Sequence, residues 1–317
     1  MNYGLDPELA AVAPAIPRVD LSDLAATREA ERLMAAHLPV YEAQAGLSVL
    51  DVEIPHRQGG GEVPARVYAP AGRSSALPAL LYLHGGAFVM GGLHNIDFSA
   101  RMLAERADVA VVAVDYRLAP EHPYPAGLED SYTALEWAAG KGGEYGIDPA
   151  RLAVLGESAG GGLAAALSLL ARDRGGPRLA AQFLDAPTVD DRLGTPSMTT
   201  LTDTPTWQSV NSPYSWQYYL QGTAEPGGAD VPVYAAPARA TVQDLTGLPP
   251  AYLTAYQIDP TRDEALNYAR LLIEAGVPTE VHHYSRAFHM AHVIPGTAIG
   301  ARMTADRIQA LRWMLHA

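Results

Sequence analysis

The chain has 317 residues, 48% hydrophobic and 18% charged, which supplies apolar material for a large buried core and excludes a disordered polymer. Its 22 basic and 35 acidic residues leave a net charge of −13, which disfavours non-specific binding to nucleic acid or to an anionic membrane. Cysteine is absent, so disulfides, zinc fingers, iron–sulfur sites and thiol nucleophiles are excluded.

The first residues, MNYGLDPELAAVAPAIPRVD, carry early acids and prolines inside the apolar stretch, unlike a secretory signal. No run approaches the roughly 18 apolar residues that would span a bilayer. These features predict a soluble, cytoplasmic protein without stable membrane anchoring. A helical stretch is expected at Leu21–Ala36. Val49–Ile54 and Ala65–Tyr68, separated by the turn Gln58–Glu62 (QGGGE), read as an antiparallel pair of strands. Further strands are expected at Ala79–Leu83, Val109–Val114, Leu152–Leu155, Ala180–Leu184, Ala251–Ala255 and Glu280–Tyr284. VAVVAV at 109–114 is apolar throughout, as in a strand covered on both faces of a parallel sheet. Helical patterns lie between them at Asp97–Ala107, Leu128–Ala139, Ala159–Arg172, Asp263–Ala275 and Ala298–Leu315. The alternation predicts an α/β fold with a mostly parallel sheet of about eight strands and helices on both faces.

Residues 187–249 are far longer than one crossover needs. They hold Trp207, Tyr214, Trp216, Tyr218 and Tyr219, which suggests an ordered cap. The expected organisation is an N-terminal cap segment at 1–45, a core at 46–186 and 250–317, and an insertion at 187–249 that adds to the cap.

The sharpest motif is Gly156-Glu157-Ser158-Ala159-Gly160-Gly161, between an apolar run and a helical one. A strand–turn–helix with glycines two residues either side of a serine is the setting of a nucleophile elbow, and a plain glycine-rich turn is the alternative. A second motif, Tyr82-Leu83-His84-Gly85-Gly86-Ala87-Phe88, ends the third strand. Its small residues would let backbone N–H groups approach a bound oxygen.

Together these segments resemble the hormone-sensitive-lipase-like branch of the α/β-hydrolases, the bacterial family IV esterases. HGGAF at 84–88 resembles that branch's HGGG loop, and Asp115–Glu121 reads DYRLAPE as the branch does. Gly146-Ile147-Asp148-Pro149 with Arg151 resembles the lead-in to its nucleophile strand, and GESAGG at 156–161 its GDSAGG elbow. The resemblance implies an α/β-hydrolase fold with a helical cap and a Ser–Asp–His triad in that order. Ser158 is then the nucleophile. Asp259, in DPTRDE at 259–264, is the acid. Asp263 is the runner-up, better suited to N-capping a helix. His289, in FHM at 288–290, is the base. Gly85, Gly86, Ala87 and Ala159 would surround the oxyanion, with His84 positioning that loop. The chemistry needs these types, because a serine hydroxyl is a poor nucleophile until a base takes its proton and a carboxylate orients that base.

Other readings stay open at this level. His282, His283, His289 and His292 crowd one stretch, but no HExxH accompanies them, and no metal is expected. Glu157 either tunes the nucleophile or makes a structural hydrogen bond. Trp207, Tyr214 and Trp216 either line the substrate pocket or pack the cap. Ala87 replaces the third glycine of HGGG, a change that keeps the donor if its φ is negative. The expected function is a serine carboxylesterase for short- to medium-chain esters that needs no cofactor. An amidase, lactonase or aryl-formamidase with the same triad, and a non-catalytic receptor of the same fold, are the alternatives. An exposed eighth strand leaves a homodimer open.

Overall fold

Side-chain alternation along the strands builds two apolar layers, one on each face of a single sheet. The computed structural model describes residues 4–57 and 59–316; Gln58 of the anticipated first turn lies outside them. The eight strands are β1 Leu47–Pro55, β2 Glu62–Pro70, β3 Leu77–Leu83, β4 Ala110–Val114, β5 Ile147–Glu157, β6 Leu179–Asp185, β7 Ala251–Ile258 and β8 Thr279–Phe288. Their spatial order is β1-β2-β4-β3-β5-β6-β7-β8. β2 is antiparallel to both β1 and β4, and the remaining pairs are parallel. The architecture is that of an α/β-hydrolase.

In β3, Ala79, Leu81 and Leu83 face one layer while Leu80 and Tyr82 face the other. In the fourth strand Val112 and Val114 join the first layer and Val111 and Ala113 the second. That double burial is why VAVVAV has no polar position. The first layer is closed by helices Ala126–Lys141, Ala159–Asp173 and Arg262–Glu274, and the second by Leu93–Ala107 and Ala298–His316.

All eight expected strands are present, but several boundaries move. β5 begins at Ile147, which pairs with Leu77 before a register shift at Ala79. The helix expected from Asp97 starts at Leu93, after a Gly92 that offers no side-chain cap. Asp263 does not cap its helix. Thr261 holds the N-cap position, and Asp263 sits in the first turn, accepting from Ser197 N at 2.7 Å. A short helix at Pro7–Val12, capped by Asp6, was not anticipated; six residues persist because Leu9 is buried against Tyr256, Tyr284 and Phe288.

The N-terminal segment is tied down by specific polar contacts. Asn211 of the insertion accepts from Leu21 N at 2.9 Å and donates to Val19 O at 3.0 Å. From the helix Leu24–Ala35, Arg28 donates to the carbonyls of Val89 and Ala119 and forks onto Glu121. Among the described residues no helix is long and apolar enough to cross a membrane.

Candidate active site

The nucleophile elbow follows from close approach of backbone to backbone. Ser158 sits between β5, which ends at Glu157, and the helix Ala159–Asp173, with φ 55° and ψ −116°. That is a left-handed, strained setting for a residue with a side chain. A Cβ on Gly156 would lie 1.9 Å from Gly160 O, and a Cβ on Gly160 would lie 2.2 Å from Leu83 O. Only glycine at both positions lets the turn close this tightly. The strained residue is held from both sides: Ser158 N donates to Asp185 O at 2.8 Å, and Ser158 O accepts from Thr188 N at 2.9 Å.

The ends of β7 and β8 bring the other two residues to this serine. His289 Nε2 lies 2.9 Å from Ser158 Oγ, and Nδ1 lies 2.7 Å from Asp259 Oδ2. Asp259 is fully buried, and its second oxygen accepts from Thr261 N at 2.8 Å and Thr261 Oγ1 at 2.9 Å. A carboxylate accepts, so Nδ1 is the donor and Nε2 is left to accept from the serine hydroxyl. The His289 carbonyl accepts from Thr206 Oγ1 at 2.7 Å. This arrangement can remove the serine proton during attack on a carbonyl carbon.

The loop 84–90 lies beside the elbow. His84 is fully buried, stacks on Tyr116 with ring centroids 4.2 Å apart, and meets Gly85 O through Nδ1 at 2.7 Å. Burial lowers its pKa to about 4, so it is neutral at pH 7. The expectation of a negative φ at Ala87 does not hold. Ala87 has φ 54° and Phe88 φ 64°. Packing enforces this conformation. The Phe88 ring is buried and stacks on Tyr219 at 4.0 Å, with Trp216 at 5.4 Å, while Ala87 O accepts from Ser215 Oγ at 2.9 Å. Trp216 is thus 1% exposed and belongs to the packed core, so the cap-packing alternative describes it. Tyr214, on the same short helix Ser212–Tyr219 as Trp216, is exposed. Trp207 packs near Leu21 and Ala87, with its Nε1 on Ser212 Oγ at 3.2 Å.

A cavity of about 520 Å³ opens between residues 16–38 and residues 90–95. Ile16, Val19, Met34, Leu38 and Met90 make much of its wall apolar, and Thr206, which holds the His289 carbonyl, lines it too. A larger cavity of about 750 Å³ lies elsewhere, at Gly175–Leu179 and Gly247–Pro250, and includes none of the residues above.

The four clustered histidines diverge. His282 pairs with Glu280 at 2.6 Å, and His283 points from β8 with its pKa lowered by burial. His289 faces Ser158, and His292 enters a buried cluster with Glu157 and Asp185. Three ligand atoms of that cluster lie within 4.8 Å of one another, but Arg307 Nη1 already stands 2.8 Å from Glu157 and 3.4 Å from Asp185, so a guanidinium supplies the cation there. Sequence reasoning named His292 only among clustered histidines and did not bring it together with Asp185 and Arg307. The available signal was Arg307 itself, an arginine on the apolar stripe Met303–Ile308–Leu311 of the last helix.

Glu264, five residues beyond Asp259, is another buried acid. Its Oε1 accepts from Val189 N at 2.8 Å. Burial pushes its pKa well above the usual 4.5, against the pull of the Val189 N–H and with the help of the Asp190 charge. The folded chain keeps a proton that the unfolded chain has released, so this group's stability is full below about pH 4.5 and is lost as pH rises toward the folded value. Glu264→Gln keeps the acceptor without the charge. It is expected to raise the urea midpoint at pH 7 and to leave it unchanged at pH 4; an equal change at both pH values would contradict this.

The family model for the alpha/beta hydrolase fold matches residues 80–293. The chain is 42% identical over 265 residues to the carboxylesterase NlhH of Mycobacterium tuberculosis, covering 81% of this chain and 80% of that protein. It is 38% identical over 316 residues to the esterase LipI of the same organism, covering 98% and 96%. Among solved structures, a bacterial heroin esterase superposes with a TM-score of 0.95 at 41% identity over 100% of both chains. Esterase LipW from Mycobacterium marinum gives 0.87 at 37% identity over 99% and 97%. The chain belongs to the α/β-hydrolase fold family, in its hormone-sensitive-lipase-like branch.

Proposed function

We propose that this carboxylic ester hydrolase is a serine carboxylesterase that works through an acyl-enzyme. Ser158 Oγ attacks the ester carbonyl carbon as His289 Nε2 takes its proton, and Asp259 holds the imidazole in the tautomer that can do so. The carbonyl oxygen gains the charge and accepts from backbone N–H groups among Gly85, Gly86, Ala87 and Ala159. Two facts support this. The loop's carbonyls at Gly85, Gly86 and Ala87 are engaged by His84, Val89 and Ser215, and Ala159 is the first residue of its helix, whose N–H has no partner within the helix. The tetrahedral carbon then expels the alcohol, which receives the proton from His289. Water repeats the sequence, its proton passing to His289, and releases the acid and free Ser158.

The observation that carries this reading is the unbroken line Ser158 Oγ–His289–Asp259 at 2.9 and 2.7 Å, two contacts with no spare atom between them. The esterase names of the relatives agree with it. The resemblance to the bacterial family IV esterases favours short to medium acyl chains. Hydrolysis of p-nitrophenyl esters from acetate to palmitate is the test. Turnover is expected from acetate through octanoate, falling steeply by palmitate. A folded protein inert across the series, or one fastest on palmitate, would overturn the reading.

A further inference from the structure

Behind the nucleophile lies a second set of buried polar groups that the ester chemistry above does not use. Glu157 immediately precedes Ser158. Asp185 ends β6, and its backbone carbonyl holds Ser158 N. His292 follows the base by three residues, in the short 3₁₀ turn Ala291–Val293 between β8 and the last helix. Each of the three is less than a tenth exposed. His292 Nε2 lies 3.3 Å from Glu157 Oε1, and its Nδ1 lies 3.0 Å from Tyr256 OH, which donates to Asp185 Oδ1 at 2.7 Å. Tyr82 OH and Arg307 Nη1 donate to the same Glu157 oxygen at 2.5 and 2.8 Å, and Thr254 donates to Asp185. Burial would raise the Glu157 pKa, but the His292 hydrogen bond and the charges of His292 and Arg307 hold it below the usual carboxylate range.

We propose that His292 is a positioning residue for His289. The proposal rests on the esterase reading above. His289 stands at the exit of a strand, next to Met290 with φ 58°, on a loop whose 3₁₀ turn Ala291–Val293 precedes the last helix at Ala298. Along that loop, His292 pins the chain to Glu157 and, through Tyr256, to Asp185. Glu157 is the chain neighbour of Ser158, and the Asp185 carbonyl holds Ser158 N. The tie therefore runs from the segment that carries the base to the segment that carries the nucleophile, and it sets the distance between Nε2 and Oγ. A displacement of about 1 Å between reacting groups costs on the order of 100-fold in rate.

The test uses His292→Phe and His292→Gln with p-nitrophenyl butyrate, alongside thermal melts. The phenylalanine chain is expected to lose about 10- to 100-fold in kcat with KM within about threefold, and glutamine, which can still reach Glu157, to recover part of the loss. Glu157→Gln combined with His292→Phe is expected to cost less than the sum of the two single changes, because both cut one tie. A purely structural role would lower Tm while the folded fraction kept wild-type kcat, and that outcome overturns the proposal. If the phenylalanine chain does not fold, His292→Gln against Glu157→Gln reads the same split. A wild type without turnover would instead sink the esterase reading on which the proposal rests.

Discussion

Replacing Ser158 with alanine is expected to lower kcat for ester hydrolysis by on the order of 10⁴-fold or more while leaving the fold intact. The hydroxyl bonds to His289 Nε2 at 2.9 Å, and its removal leaves that imidazole still held by Asp259. Alanine inherits the backbone at φ 55° with a side chain no larger than serine's, and the anchors of Ser158 to Asp185 and Thr188 are backbone ones. Adding His289→Ala or Asp259→Asn to Ser158→Ala is expected to change little further. Those residues act on a nucleophile that is already gone, and members of such a unit are grossly non-additive.

The second large effect is on folding. Gly160→Ala is expected to destabilise the chain by about 3 kcal/mol or more. The added methyl would meet Leu83 O at 2.2 Å and His84 O at 2.3 Å. Both are backbone atoms, and the His84 carbonyl is itself fixed by Tyr116 OH at 2.7 Å. No rotamer change relieves the clash, so the helix must move away from β3 and from the 84–88 loop. A fall in Tm of roughly 5–10 °C is expected for a chain of this size. Gly143→Ala is the control. Nothing lies within 4 Å of its Cβ position and its φ is not left-handed, so its Tm should match wild type. Equal melting of Gly160→Ala and wild type would show that the elbow is not as tightly closed as the backbone distances require.

Much of the sheet was legible because its physics is local. The central strands are short apolar runs bounded by turn residues, because double burial strips polar positions from them. Ser158, Asp259 and His289 stood out in motifs that follow β5, β7 and β8, and the fold brings the three side chains within hydrogen-bond distance. Other features depend on tertiary contacts that no local pattern carries. The left-handed φ of Ala87 comes from the Phe88 ring seated on Tyr219 more than a hundred residues away. Trp216 reads equally well as pocket or core until that stacking is known. Asp263 looked like a helix cap, yet its carboxylate serves Ser197 of the insertion. The short helix Pro7–Val12 persists only because Leu9 finds a buried site. The Glu157–Asp185–His292–Arg307 cluster draws on four separate segments, and only the arginine on an apolar helix stripe hinted at it.

The central claim is that Ser158 performs nucleophilic attack on esters. Its most direct test is the hydrolysis of p-nitrophenyl butyrate by wild type and Ser158→Ala side by side, with both chains shown folded by circular dichroism. The account predicts steady turnover by wild type and a rate near the uncatalysed background for the variant. Comparable rates from the two chains would place the chemistry at another residue and contradict it.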